Sequence, residues 1–194
     1  EIIDAHEHLP PEQVRVEQKV DVFTLFYHYT RGDLITAGLP PQDFDKIQNT
    51  DIPLEVRWKL FAPYLEHIRY GSYARPAFVA AKEFYGFDDI SQETYEGISA
   101  AMAAANKPGI YQRILRDKCH IRTALTQANR TDYDLDLLVP LMPLDTYAAV
   151  LTWADITKRA QELGSRVNTL DDYLEVVETG IARWRSQGVV GLKM

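Results

Sequence analysis

Two histidines separated by one residue, His6 and His8, are the side chains in this chain best spaced for chemistry. They close the run Ile2-Ile3-Asp4-Ala5-His6-Glu7-His8, which opens on two β-branched residues and leads into Leu9-Pro10-Pro11. Successive side chains of a strand alternate faces, so a strand here puts Asp4, His6 and His8 on one side. Two imidazoles about 7 Å apart along that face can converge on one divalent ion. Nitrogen donors suit zinc, with manganese or iron as alternatives, better than magnesium or calcium, which take all-oxygen shells. Asp4, one step behind, can orient one of the rings as an outer partner. The spacing is also met by solvated or mutually hydrogen-bonded histidine pairs, so the pattern alone carries limited weight.

The rest of the composition narrows the class. With 46% hydrophobic and 25% charged residues, the 194-residue chain can bury a core as one large domain or a domain with an appendage. A balance of 21 basic against 28 acidic residues, net −7, argues against nucleic acid or an anionic membrane as main partner. No apolar run reaches bilayer length and no signal-peptide pattern opens the chain. Cys119 is the single cysteine, so no intrachain disulfide forms and a reducing, cytoplasmic setting fits. An opening Glu1 in place of methionine leads to the expectation that the natural N-terminus has been removed.

The elements that must position the histidines follow from periodicity. Leu9-Pro10-Pro11 ends the first strand. Apolar spacing predicts a helix over 20–37, a proline-rich turn at Gly38-Leu39-Pro40-Pro41, and a second helix capped by Asp51. Leu54, Trp58, Phe61, Leu65 and Ile68 form its apolar stripe, with Pro63 expected to kink it. Further helices are expected through Phe78, Val79, Lys82 and Phe84, after a Ser91 cap, and around Ile114. Strand-like runs return at 120–125 and 135–144, the second interrupted by Pro140 and Pro143. A helix over 156–163 should stop at Gly164, and Thr169 with Asp172 caps a strong amphipathic helix before a last strand at 189–194. About 110 mainly helical residues between the first two strands exceed any ordinary βα connection and predict an inserted helical subdomain. The remaining alternation of strands and helices predicts a parallel sheet.

Ile-Ile-Asp-Ala-His-Glu-His-Leu at 2–9 resembles the first strand of the metal-dependent amidohydrolase superfamily, closest to its amidohydrolase-2 branch of uronate isomerases, decarboxylases and lactonases. Gly188-Val189-Val190-Gly191-Leu192-Lys193-Met194 resembles the fourth strand of that barrel, and the stretch with His28-Tyr29, Trp58 and Tyr70-Gly71 resembles the branch's helical insertion. The resemblance implies an α/β fold, the first half (β1–β4) of a (β/α)8 TIM barrel. Residues 1–9 and 119–194 would form the partial barrel, and 10–118 the insertion after its first strand. His6 and His8 match the family's two first-strand metal ligands. The family's other ligands and its catalytic aspartate come from later strands, so they are expected beyond Met194, and the intact protein is expected to continue there unless two copies associate.

The activity implied is a metal-dependent hydrolase, in which metal-activated water attacks a C–N or C–O bond of a small amide, ester or lactone. A nonoxidative decarboxylase or uronate-type isomerase on the same site is the alternative, and an inactive structural or regulatory half-barrel is a second. Lys193 could bridge two metals after carboxylation, contact an anionic substrate, or remain a solvated strand-end charge. The insertion could cover the barrel mouth, which makes His28, Tyr29, Arg69, Tyr73 and Arg75 candidates for contacting a small-molecule substrate. An arginine among them would favour a carboxylate on it. Each also has a plain structural reading, as helix-packing residue or surface charge. His67 and His120 have no partner at ligand spacing. Cys119 and His120, adjacent in a strand, would face opposite ways and make no nucleophile–base pair.

Overall fold

The computed structural model describes residues 2–127 and 129–193. It is an α/β structure whose four strands are β1 (Ile2–Glu7), β2 (Ile121–Thr126), β3 (Leu138–Pro143) and β4 (Gly191–Lys193). The helices are α1 (Glu12–Val16), α2 (Thr30–Thr36), α3 (Pro41–Gln48), α4 (Leu54–Ile68), α5 (Arg75–Tyr85), α6 (Tyr95–Ala105), α7 (Asp145–Ala148), α8 (Trp153–Glu162) and α9 (Leu170–Ser186). A 3₁₀ turn (Val22–Phe26) precedes α2, and a π-helical segment (Gln112–Lys118) precedes β2. Among the described residues no helix is long and apolar enough to cross a membrane. The chain divides into two compact units, Glu1–Arg15 with Tyr111–Met194, and Val16–Ile110.

The first unit holds the sheet, with the strands in the order β1-β2-β3-β4 and every neighbouring pair parallel. The ladders are short. β3 contains Pro140 and ends at Pro143, and proline gives no N–H to a ladder. Between β2 and β3 the described residues form bends and a turn with no helix, whereas α7, α8 and α9 fill the step from β3 to β4. α8 and α9 begin with reciprocal caps, Thr152 with Asp155 and Thr169 with Asp172, each hydroxyl accepting from the N3 amide. α8 ends before Gly164, which adopts φ 70°. Val176, Tyr173 and Trp184 of α9 pack with Met142, Tyr147, Ala160, Val167 and Val189 as this unit's core.

The second unit, Val16–Ile110, is helical around Phe23, Phe26, Trp58, Phe61, Phe78 and Ile98. The helix expected over 20–37 is instead a 3₁₀ turn, a break and the short α2. His28 takes φ 61° at the break, and the Thr30 hydroxyl donates to the Tyr27 carbonyl across it. Asp21 explains the early start, since its carboxylate accepts from Phe23 N and closes a capping box with Thr24. α3 forms where only a turn is expected, because Pro41 sits in its first turn, where a missing N–H does no harm. α4 begins at Leu54 with Pro53, not Asp51, at its cap, and runs through Pro63 on its exposed side. Ser91 organises a turn before α6, whose cap is Thr94. A buried ion pair joins Arg57 to Asp21 at 2.6 Å, with Arg57 also donating to the Ile47 and Ile52 carbonyls.

Candidate metal centre

β1 carries the histidines to the end of the sheet at which all four strands finish. Its pairing with β2 is irregular between Asp4 and Glu7. Such irregularities re-aim side chains. His6 and His8 are exposed, and their Nε2 atoms lie 3.1 Å apart with the rings edge to face at 62°. Two nitrogens of a tetrahedral zinc site, each about 2.0–2.1 Å from the ion, stand about 3.3 Å apart. The pair therefore already has the separation that one ion requires.

Two further groups fix its chemistry. Nδ1 of His8 lies 3.1 Å from the main-chain carbonyl of Gln127. A carbonyl only accepts, so Nδ1 carries a proton, and the tautomer this contact selects leaves the lone pair on Nε2. Lys193 Nζ lies 3.3 Å from His6 Nε2. Protons alone leave this trio frustrated. If His6 Nε2 donates to His8, its N–H faces an ammonium; if it accepts from Lys193, two imidazole lone pairs face each other.

The Lys193 contact also reports on the sheet. β1 and β4 are its two outer strands, and in a flat sheet they would lie about 14 Å apart. A contact between His6 and Lys193 needs both side chains on the concave side of a curled sheet. Asp4 lies on the same strand, and its carboxylate accepts from the main-chain N–H of His6 at 3.1 Å. The ring-orienting hydrogen bond in this site comes instead from Gln127, which no local sequence signal marks.

Under the histidines is a polar layer that spacing does not announce. Glu7 turns the other way from its neighbours and is half-buried; its Oε2 accepts from Leu9 N, and its Oε1 is buried with no hydrogen-bond partner. Burial pushes its carboxyl above the usual carboxylate range, against the lowering effects of the Leu9 amide and of Thr126. The fully buried Thr126 and Tyr133 both donate to the Leu9 carbonyl, at 2.9 and 3.0 Å, and Tyr111 donates to the Pro10 carbonyl at 2.8 Å. Burial raises the Tyr111 phenol well above the ordinary range and the Tyr133 phenol above it too, which keeps both as donors. Together they pin the turn that begins after His8. Strand alternation alone could have pointed to Glu7 on the opposite face; the other three act across long sequence separations.

His28, Tyr29, Arg69, Tyr73 and Arg75 all belong to the unit Val16–Ile110. Within it, Tyr29 packs edge-on against His28 at 4.2 Å and stacks on Tyr73 at 5.0 Å, in an exposed aromatic row. Arg69 is committed elsewhere, to ion pairs with Glu66 and Asp89 and to the faces of Tyr70 and Phe78. Arg75 opens α5 on its exposed side. His67 lies in the last turn of α4, and His120, at φ 56°, leads into β2.

Among the described residues, no three His, Cys, Asp or Glu side chains are grouped to hold a metal ion. The centre therefore consists of two imidazoles and one amine. No known protein family, curated protein or solved structure matches the chain.

Proposed function

We propose that His6 and His8 are two ligands of a divalent metal, zinc first, in a hydrolase of the amidohydrolase-2 type, and that the curled parallel sheet is the first half of a (β/α)8 barrel. The observation that carries the reading is the facing pair of Nε2 atoms at 3.1 Å, with the His8 tautomer set by Gln127. A bound divalent ion would lower the pKa of a water molecule and polarise a substrate carbonyl. His8 keeps its lone pair forward because its other nitrogen is occupied, and His6 completes the pair. Glu7, Thr126 and Tyr133 hold the turn that fixes the end of the strand. Lys193, beside His6, would meet an anionic oxygen of a substrate. Among the described residues no third His, Cys, Asp or Glu joins the pair, and none is assigned as a further ligand or proton acceptor.

The test has two arms. After equilibration with zinc, manganese or ferrous iron, metal content is measured for the wild-type chain and for His6→Ala and His8→Ala; stoichiometric metal that survives either change sinks the ligand assignment. The metal-loaded intact protein is then offered ester, lactone and amide substrates, and separately a carboxylated aromatic acid. Release of CO₂ from the acid without hydrolysis of the others would replace the hydrolase reading by the decarboxylase one.

A further inference from the structure

A cavity of about 360 Å³ lies in the sheet-bearing unit, between the stretch after β2, the end of β3 and helices α7, α8 and α9. That volume falls within the range of small-molecule sites, about 300–1,000 Å³. Three arginines line it, Arg130, Arg159 and Arg183, against one carboxylate, Glu162, so its lining carries net +2 in a chain of net −7.

The arginines are not equivalent. Arg130 is held by a two-point contact to Asp132, at 2.6 and 2.5 Å, and Arg159 is held by Glu162 at 3.1 Å. Both are partly buried and keep donors to spare, since a guanidinium carries five N–H groups. Arg183 makes no ion pair among the described residues.

Tyr147 supplies an independent donor to the cavity. The residue is 8% exposed and lines the cavity, yet its hydroxyl makes no hydrogen bond among the described residues. The hydroxyl is therefore free to donate to an occupant of the cavity. The hydroxyl rests against α9 at Gly180, where an added Cβ would stand 1.9 Å from it, so the absence of a side chain there creates its seat. Arg159 and Arg183 are both close enough to Tyr147 to influence its phenol, so hydroxyl and guanidinium groups share one locality.

We propose that this cavity binds a small organic phosphate, the phosphomonoester dianion meeting Arg130, Arg159 and Arg183 and accepting a hydrogen bond from the Tyr147 hydroxyl. A planar carboxylate is served by one guanidinium fork, whereas three arginines and a tyrosine lining one cavity can supply donors to the several oxygens of a tetrahedral dianion. The site is independent of the metal centre and stands or falls separately.

Calorimetric titration of the full chain at low salt, with glycerol 3-phosphate, inorganic phosphate and succinate, tests it. Saturable binding of glycerol 3-phosphate is expected, tighter than that of the other two. Arg183→Gln should weaken it about tenfold or more and Tyr147→Phe several-fold, while Arg166→Gln, a solvent-facing control outside the cavity, leaves it unchanged. Circular dichroism checks that each variant is folded, and Tyr147→Phe removes no internal hydrogen bond. No saturable binding, equal binding of inorganic phosphate or succinate, or an unchanged affinity in folded Arg183→Gln would overturn the proposal.

Discussion

The main-chain carbonyl of Gln127 lies 3.1 Å from Nδ1 of His8, so a residue just past β2 sets the proton position on the ring that follows β1. Because the acceptor is main chain, the side chain at 127 is dispensable. Gln127→Ala is expected to leave zinc affinity unchanged, while His8→Ala lowers it about tenfold or more. Competition against a chromophoric chelator measures both; equal losses would show that the carbonyl does not set the tautomer.

Lys193, 3.3 Å from His6 Nε2, places an ammonium where a divalent cation would sit close by. Like charges at such distances repel by roughly several kcal/mol at intermediate dielectric. Lys193→Met should therefore raise zinc affinity near neutral pH, by about tenfold, in the same competition assay. A fall in affinity would instead point to Lys193 as a ligand in its own right.

The Arg57–Asp21 pair has side chains only 4% and 12% exposed, and every hydrogen bond it makes is internal to the helical unit. Arg57→Met leaves the Asp21 carboxylate buried beside apolar neighbours and should cost about 3–5 kcal/mol in denaturant unfolding. The double variant Arg57→Met, Asp21→Asn should lose less than the sum of the single losses.

Asp172 accepts from the amides of Asn168 and Thr169 at 2.8 and 2.9 Å, and these bonds hold its carboxyl below the ordinary 3.8. A group whose folded pKa is depressed contributes stability above its unfolded pKa and loses it as pH falls through the folded value. Thermal unfolding of Asp172→Asn should thus lie below wild type above the unfolded value of 3.8, and the two curves should converge as the pH falls through the depressed folded value. A gap that persists at the lowest pH would assign the effect to packing.

Gly180→Ala forces a Cβ onto the Tyr147 hydroxyl, which stands 1.9 Å from the ideal position. Overpacking of this kind should cost about 1–3 kcal/mol. Pairing it with Tyr147→Leu, which withdraws the ring, should recover part of the loss in denaturant unfolding.

Local signals carried much of the secondary structure. The Thr169–Asp172 box, the Gly164 stop and the Trp58–Phe61–Leu65–Ile68 stripe each act within a turn or two, and each lies where periodicity puts it. A parallel sheet was expected from the alternation of strands with helices and is found, although no helix separates β2 from β3 among the described residues. The break at His28 was hidden because the apolar spacing of 20–37 continues across it, and only Asp21 and Thr30, acting through hydrogen bonds, interrupt the helix. α3 was hidden because Pro40-Pro41 reads as a turn, although proline serves equally in a helix's first turn. At the candidate centre, the chance that residues two apart can meet is local. The groups that hold them are not, since Gln127, Thr126, Tyr133 and Tyr111 reach the turn across more than a hundred residues.

The contact between His6 and Lys193 spans a sequence separation of 187, nearly the whole chain. Closing so long a stretch of chain costs entropy before the contact repays it, which makes such contacts slow to form. Arrival of β4 at the sheet is thus the event that brings the lysine beside the histidines, and the contact reports that all four strands have docked. A metal ion added during refolding would meet His6 and His8 before Lys193 arrives, so the order of addition becomes a kinetic variable of the centre itself.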